Sequence, residues 1–301
     1  MHPTAIDGRT RHYGAFFGLD PLPDADLLAI VIGNCQAESV RLLLDGDDVG
    51  TVRVPPVHEL AADDIPRLHA LLRRCDLVIA QPIRDGYHGL PLGTGEVFAV
   101  ASGARTAVFP VIRFAGLHPW QAIVRPPADP GLVPPVVPYH DLRTLAEVAG
   151  VHLPAVDGSM IRAIGAASID ELGRRERRHG AVVVSDLFAR PSFEQVRTIN
   201  HPGNPVLTAL VARIRASLGL DVREPAVDRP LLDSVHAPRE QAVIDAWGLD
   251  AVPVDHWTLD GVAIGHDEVV EAHRRWYREH PDVVDAGLAR HRATLELLAG
   301  R

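Results

Sequence analysis

The sequence feature that most constrains the fold is a continuous apolar run, Leu27-Leu-Ala-Ile-Val-Ile32, that ends at Gly33. Such a run is typical of a parallel strand, because helices cover both faces of the strand and neither face meets water. Further strands are predicted at 51–54, 77–80 and 106–112, with apolar residues at helical spacing between them. Strands that alternate with helices predict an α/β fold, with a mostly parallel central sheet flanked by helices.

The rest of the chain is predicted to be mainly helical, apart from one proline-rich loop. This loop covers residues 125–140 and contains six prolines, which exclude regular structure. Three helices are predicted from caps and spacing: 168–178 after a capping box, 204–218, and 267–298 with a break at Pro281. We therefore expect an α/β catalytic domain over residues 1–220 and a helical C-terminal extension over residues 221–301, packed on the same domain.

Composition and charge narrow the classes of function. The 301 residues carry a formal net charge of −9, so a broad electrostatic attraction to nucleic acid or anionic lipid is not expected. Cys35 and Cys75 are the two cysteines, and they form no disulfide framework. No stretch resembles a signal peptide or a membrane span. We expect a cytoplasmic protein with free thiols that binds neither nucleic acid nor membrane; the sequence favours no particular oligomeric state.

The most informative motif is Gly33-Asn-Cys-Gln36, at the junction between the first strand and the next helix. Ligands of open α/β sheets bind beyond the carboxyl ends of the strands, where this turn lies. A thiol at a helix N-terminus faces unpaired backbone N–H groups and the positive end of the helix dipole, which favour the thiolate. Cys35 is therefore the predicted nucleophile, with a pKa below that of an ordinary thiol. A buried structural cysteine is the alternative interpretation.

Three side-chain amides could stabilise negative charge that develops beside Cys35. Asn34 and Gln36 flank the cysteine, and Gln81 directly follows the third predicted strand, at another carboxyl end. Amide N–H groups placed in this way can form an oxyanion hole. For Gln81, a simple turn that terminates the strand is the alternative.

A cysteine nucleophile needs a general base, which is most often histidine. Among sixteen histidines, His201 is the preferred candidate, because Pro202 and Gly203 place it in a loop just before a predicted helix. A turn histidine without a catalytic role is the alternative, and His118, which also precedes a proline, is a weaker candidate. The sequence contains no spacing typical of metal ligands, so no metal site is predicted.

Two resemblances follow from the order of these motifs. The order strand, glycine, nucleophile, helix and late His-Pro resembles the SGNH/GDSL hydrolases, which implies a three-layer fold with Cys35 in place of their serine. Their acidic residue, three positions before the histidine, is Thr198 here. More specifically, the chain resembles the WcbI-type capsular-polysaccharide biosynthesis acetyltransferase family, in four segments that follow the family's order: 33–36, 81–83, 109–119 and 198–202.

The second resemblance implies a coenzyme A site and the O-acetylation of a sugar hydroxyl in polysaccharide or glycoconjugate biosynthesis. Acetyl-CoA would be the co-substrate, and the transfer would be either direct or through an acyl-enzyme. The phosphates of acetyl-CoA need cations or backbone N–H donors. The residues predicted to bind it are Gly33, Arg84, Arg113, His118 and Arg125, with the run Arg174–Arg178 as a further candidate or a solvated helix face.

Two other functions remain open at this point. One is an SGNH-like cysteine esterase or thioesterase, which would share the nucleophile but would not bind coenzyme A selectively. The other is a non-catalytic protein that binds coenzyme A or takes part in polysaccharide assembly.

Overall fold

A computed structural model of the chain describes residues 7–126, 128–223 and 227–300. The strands are β1 (Leu27–Ile32), β2 (Val49–Val52), β3 (Leu77–Ala80), β4 (Arg105–Val108), β5 (Gln121–Ala122), β6 (His140–Asp141), β7 (Val196–Thr198), β8 (His201–Pro202), β9 (Val235–His236), β10 (His256–Leu259) and β11 (Val262–Gly265). The α-helices are α1 (Gly8–His12), α2 (Gly14–Phe17), α3 (Cys35–Leu44), α4 (Ile65–Leu72), α5 (Thr94–Val100), α6 (Leu142–Val148), α7 (Gly158–His179), α8 (Asn204–Ser217), α9 (Gln241–Trp247), α10 (His266–Glu279), α11 (Pro281–Arg290) and α12 (Arg292–Leu298).

The chain divides into two compact units, each assembled from three segments. The first unit comprises Met1–Val111, Gly173–Val184 and Asn204–Leu231. The second unit comprises Ile112–Leu172, Ser185–Gly203 and Leu232–Arg301. Each unit is described below by itself.

The first unit is built around a parallel sheet of four strands in the order β2-β1-β3-β4. On one face, Ile30, Ile32 and Val78 pack in a single apolar cluster with Leu68 and Leu72 of α4. In the same unit, α3 lies against β1, β2 and α8. Burial of the strands explains why they appear in the sequence as apolar runs. The predicted fold class, a parallel central sheet flanked by helices and followed by C-terminal helices, is confirmed.

Some predicted boundaries are wrong, for local reasons. The helix expected to start at the 168–171 capping box begins ten residues earlier, at Gly158. The Oδ1 atom of Asp157 accepts hydrogen bonds from the N–H groups of Ser159 (2.7 Å) and Met160 (3.1 Å), and this satisfies the first turn. Asn204 does open α8, but its Oδ1 accepts from the N–H of Leu231 (2.9 Å) instead of capping the helix.

The described residues of the second unit form three small antiparallel sheets: β5-β6, β7-β8 and β11-β10-β9. Its helices α6, α10 and α11 pack together around Leu142, Leu145 and Tyr277. The predicted C-terminal helices are present, with the expected break before Pro281 and a second one at His291. Outside Pro127, which lies beyond the described residues, the proline-rich segment has no helix or strand before His140.

The hairpin formed by β10 and β11 was not predicted. Its two-residue turn is Asp260-Gly261, and both residues have positive φ angles, 47° and 82°. Asp-Gly is the pair that this type of tight turn favours, so the sequence did carry the signal. None of the helices in the described part of the chain combines the length and the apolar character that crossing a lipid bilayer requires.

Candidate active site

The predicted catalytic residues of the first unit meet where the strand order reverses. The chain leaves β1 for β2 on one side, and β3 then pairs with β1 on the other side. Open α/β sheets bind their ligands in the crevice outside such a reversal, at the carboxyl ends of the strands. The Gly33–Gln36 turn follows β1, and Gln81, which follows β3, donates its backbone N–H to the carbonyl of Ile32 (2.9 Å).

The turn after β1 is tightly constrained by hydrogen bonds. Asn34 is the N-cap of α3, and its Oδ1 accepts from the N–H of Gln36 (2.9 Å). The carbonyl of Gly33 accepts from the N–H of Val57 (2.9 Å). With Oδ1 committed to the cap, the Nδ2 group of Asn34 makes no hydrogen bond within the described residues. Among the amides predicted to stabilise an oxyanion, Asn34 therefore has an Nδ2 group that can donate a hydrogen bond to it.

The side chain of Gln81 joins the two strand ends. Its Oε1 accepts from the N–H of Asn34 (2.9 Å), and its Nε2 donates to Oε1 of Gln36 (3.3 Å). Gln81 and Gln36 are both buried, with 2% and 1% of their surface exposed. The side chain lies so close to Gly33 that a Cβ atom there would be 2.5 Å from Oε1 of Gln81. Gln81 thus positions the cysteine turn, and glycine at position 33 makes room for it.

Cys35 is the first residue of α3, and its side chain is exposed. Although solvent reaches it, desolvation by the protein around the turn raises the pKa of the Cys35 thiol. The N–H groups of Gln36 and of Cys35 itself act in the opposite direction, but they do not outweigh the desolvation. The prediction of a lowered pKa is therefore wrong, and Cys35 is a protonated thiol at neutral pH. Cys75 is buried, and burial raises its pKa to about 12.

Thr94, which the sequence analysis missed, fixes the segment that follows β3. Its hydroxyl donates to the carbonyl of Gln81 (2.7 Å) and accepts from the N–H of Ile83 (2.8 Å). A threonine that begins a helix between two glycines, Gly93 and Gly95, gives no specific sequence signal. Arg84, one residue beyond Ile83, is exposed and has no hydrogen-bond or ion-pair partner among the residues that the structure describes.

His201 lies in the second unit, in the hairpin of β7 and β8. Burial, followed by the charges of Arg197 and His236, lowers the pKa of His201 to about 4. Its imidazole is therefore neutral at pH 7, the form that accepts a proton. Its Nδ1 atom is buried and has no hydrogen-bond partner within the described ranges.

A buried hydroxyl network supports the loop of His201. The hydroxyl of Thr198 donates to the hydroxyl of Tyr139 (2.9 Å), which in turn donates to Oδ1 of Asn200 (2.8 Å). The Tyr139 ring meets the His201 ring edge-on, with centroids 6.1 Å apart. Thr198 occupies the sequence position of the acidic residue of the SGNH/GDSL hydrolases. Its hydroxyl is hydrogen-bonded to Tyr139 and not to the imidazole of His201. Tyr139 lies in the proline-rich segment, which sequence reasoning did not connect with the site.

The other predicted cofactor residues lie in different surroundings, with His118, Arg113 and Arg125 in the second unit and the run Arg174–Arg178 in the first. His118 is buried, with 4% of its surface exposed. Arg125 is exposed and donates to the carbonyl of Val124 (3.4 Å), and Arg113 is half-buried. In the basic run at the end of α7, Glu176 is buried and its carboxylate accepts from the N–H of Val184 (2.7 Å). No group of three potential metal ligands occurs among the described residues.

The structure thus brings Gly33, Asn34, Gln36 and Gln81 together around Cys35 in the first unit, with Arg84 following in the same segment. His201, His118, Arg113 and Arg125 belong to the second unit. The order of the strands and the position of the turn that contains Cys35 define the class of protein. It is an α/β protein with a thiol at the topological switch point of its sheet.

Comparison with known proteins identifies the family. The profile of the family described as "Polysaccharide biosynthesis enzyme WcbI" matches residues 28–223, and the chain belongs to this family of polysaccharide biosynthesis enzymes. No curated protein matches the chain.

Among solved structures, the fold is similar to that of WcbI, which is described as a novel polysaccharide biosynthesis enzyme. That structure is of the native protein without a disulfide bond between coenzyme A and one of its cysteines. The two chains share 19% sequence identity and align with a TM-score of 0.74, over 90% of this chain and 98% of the other.

Proposed function

We propose that this protein is a coenzyme A-dependent O-acyltransferase that acetylates a sugar hydroxyl in polysaccharide biosynthesis. The observation that carries the proposal is the exposed thiol of Cys35, held at the start of α3 by the Gln81 side chain at the switch point of the sheet. Membership of a polysaccharide biosynthesis family supports the substrate class. The similar WcbI structure, whose description refers to coenzyme A and a cysteine, supports the co-substrate.

The residues present are compatible with coenzyme A as a co-substrate. Its phosphates need cations, and the guanidinium groups of Arg84 and Arg125 are exposed to solvent. We assign phosphate binding to these two residues in preference to Arg113, which is half-buried. Acetyl-CoA is a cytoplasmic metabolite, so we place the reaction in the cytoplasm.

The chemistry that we propose for Cys35 starts from a protonated thiol. His201, neutral at pH 7, would accept the thiol proton, and the Cys35 sulfur would attack the acetyl carbonyl. The carbon–sulfur bond to coenzyme A then breaks, the coenzyme A thiolate takes the proton from His201, and the acetyl group remains on Cys35. A sugar hydroxyl, deprotonated by His201, next attacks this thioester, and the thiol of Cys35 is regenerated.

A direct route is the alternative within the same function. Here His201 would take the proton of the sugar hydroxyl, and the hydroxyl oxygen would attack acetyl-CoA itself. In both routes the Nδ2 group of Asn34 is our candidate donor to the developing oxyanion. Gln81 is a positioning residue, because its own side chain is committed to Asn34 and Gln36.

The experiment is release of free coenzyme A from acetyl-CoA, followed with a thiol reagent, with and without a panel of sugar acceptors. Release that depends on the acceptor supports the transferase. Release without an acceptor identifies a thioesterase, and no release combined with binding of coenzyme A identifies a binding protein. Cys35→Ser and His201→Gln should each lower the rate at least 100-fold, whereas Cys75→Ser, at the buried cysteine, is the matched control and should not.

The two routes differ in one observable. An acyl-enzyme predicts that wild-type protein incubated with labelled acetyl-CoA, without acceptor, gains one acetyl group on the peptide that contains Cys35. Direct transfer predicts an unmodified peptide and an activity in Cys35→Ala that is reduced but measurable.

A further inference from the structure

His201, in the second unit, has no hydrogen bond that fixes the orientation of its imidazole ring. Its Nδ1 atom is buried without a partner, and Nε2 makes no hydrogen bond with the described residues either. In histidines that act as bases, a carboxylate or a carbonyl usually accepts from one ring nitrogen and so holds the other toward the substrate. The ring of His201 must therefore be held by packing, and Nε2 is the ring nitrogen that solvent can reach.

The aromatic ring that His201 packs against is that of Tyr139. The two rings meet edge to face at an interplanar angle of 87°, with centroids 6.1 Å apart, which is within the range of favourable aromatic pairs. Tyr139 also stacks on Trp257, with centroids 5.9 Å apart and 18° between the planes. Both belong to one buried apolar cluster, and Tyr139 is 3% exposed. The Tyr139 ring is therefore a fixed surface for the imidazole, and it is too deeply buried to contact a substrate itself.

The hydroxyl of Tyr139 joins the same ring to the turn that carries His201. Thr198 and His201 are partners across the hairpin of β7 and β8, and residues 199–200 form its turn. The Tyr139 hydroxyl accepts from Thr198 at one end of the turn and donates to Asn200 within it. A single side chain thus contacts the imidazole with its ring and restrains the backbone beside the imidazole with its hydroxyl.

The rest of the turn is held by contacts that do not depend on Tyr139. The N–H of Ile199 donates to Oε1 of Gln121 (3.1 Å), and the carbonyl of Ile199 accepts from the N–H of Phe114 (2.8 Å). Loss of the Tyr139 hydroxyl should therefore leave the hairpin folded and loosen only the end that carries His201.

We propose that Tyr139 is the positioning residue of His201, because it fixes the imidazole ring and the turn together where no hydrogen bond to the ring does so. The role of His201 as the general base rests on the proposed transferase function. The restraint of its ring by Tyr139 does not.

The first test is NMR titration of His201 in protein labelled with carbon-13 at Cε1 of histidine, without substrate. Burial is the main reason that the pKa of His201 is lowered to about 4, and the charges of Arg197 and His236 lower it further. Tyr139→Phe removes the hydroxyl and keeps the ring. If the turn loosens, water gains access to the imidazole, so the pKa of His201 should rise toward the ordinary value of about 6.5.

Tyr277→Phe is the matched control for this titration. Tyr277 is another buried tyrosine of the second unit, and its hydroxyl is hydrogen-bonded to Nδ1 of His140 (2.8 Å) and not to the turn of His201. Its loss should change the resonance of His140 and leave the pKa of His201 as it is in the wild type.

The second test is the steady-state rate of the proposed transfer. Misplacement of a reacting group by about 1 Å can cost about 100-fold in rate, so we expect kcat to fall about tenfold or more in Tyr139→Phe. KM for acetyl-CoA and for the acceptor should not change, because Tyr139 is buried. Thr198→Val has nearly the shape of threonine but cannot donate to Tyr139, and it should lower kcat in the same direction. Thr198→Ser keeps that hydroxyl and should retain most of the wild-type kcat.

Thermal unfolding identifies any variant that is not folded, and the two Thr198 variants test the proposal if Tyr139→Phe does not fold. An unchanged pKa of His201 in folded Tyr139→Phe protein overturns the proposal. Equal effects of Tyr277→Phe would also overturn it, because they would reflect a general loss of stability. A raised pKa without a change in kcat would support the restraint of the ring and refute His201 as the base, so that failure of the proposed function is distinguishable from failure of this proposal.

Discussion

Replacement of Gly33 by alanine tests how the cysteine turn is held. The added Cβ would lie 2.5 Å from Oε1, 2.9 Å from Cδ and 3.0 Å from Cγ of Gln81. Real Cβ contacts do not come this close to neighbouring atoms, so the Gln81 side chain must move. When it moves, it loses its hydrogen bonds to the N–H of Asn34 and to Oε1 of Gln36.

The magnitude follows from these losses. A buried donor or acceptor that is left unsatisfied costs about 1–3 kcal/mol, and overpacking of a tight site costs a further 1–3 kcal/mol. Partial relaxation makes the sum smaller than the extremes, so we expect Gly33→Ala to lower the free energy of unfolding by about 2–4 kcal/mol. For a chain of this size that corresponds to a fall in Tm of roughly 3–6 °C.

The assay is thermal and denaturant unfolding of Gly33→Ala beside Gly103→Ala. Gly103 lies in the same unit, and a Cβ there meets no atom within 4 Å, so this control should be near neutral. The decisive comparison is a double-mutant cycle with Gln81→Ala. Once the Gln81 side chain is absent, Gly33→Ala should cost little more. An equal cost of Gly33→Ala in both backgrounds would show that the clash with Gln81 is not the cause.

Two further predictions concern stability. Burial is the main reason that the pKa of His201 is lowered to about 4 and that of His140 to about 3. As the pH falls below about 6.5, these histidines therefore take up protons in the unfolded state before they do so in the folded state. The free energy of unfolding should decline between pH 6.5 and 4, and the decline should be shallower in His201→Gln. Arg215 is 1% exposed and forms an ion pair with Asp48, so Asp48→Ala leaves a buried guanidinium without this partner. In denaturant unfolding, Asp48→Ala should lower the free energy of unfolding by about 3–5 kcal/mol. The double variant Asp48→Ala with Arg215→Met should recover part of that loss, because it removes the buried charge as well.

The parallel sheet could be predicted because burial on both faces leaves a direct trace in the sequence. Leu27–Ile32 and Leu77–Ala80 are apolar at every position, and no helix of ordinary length has that pattern between turn residues. The position of Cys35 at the end of such a strand followed from the same pattern. The strand order did not, since β3 could have paired with β2 as readily as with β1.

The contacts that shape the site could not be predicted, because they depend on that strand order. Gln81 reaches Asn34 and Gln36 only when β3 lies beside β1, and 47 and 45 residues of sequence separate it from them. Thr198, Tyr139 and Asn200 are likewise joined across the proline-rich segment, which has no periodicity to place it. Asp260-Gly261 is different in kind, because its turn chemistry was visible in the sequence and was overlooked.

For Cys35, the sequence predicted the local structure correctly but the direction of the pKa shift wrongly. The observed direction supports a last prediction. The sequence placed the thiol at a helix N-terminus, and the structure agrees, with N–H groups of Cys35 and Gln36 beside the sulfur. The helix terminus contributes about 0.3–1 kcal/mol to an adjacent anion. Desolvation acts against it and is the larger effect here, so the pKa is raised. His201 is neutral above pH 4 or so, so it adds no positive charge that would favour a thiolate. In Cys75→Ser protein, the rate of iodoacetamide alkylation should therefore rise with pH to a midpoint above the ordinary thiol value of about 8.5, and His201→Gln should leave that midpoint unchanged. A midpoint below 8.5 would show that the helix terminus outweighs desolvation, and Cys35 would then need no general base to act as a nucleophile.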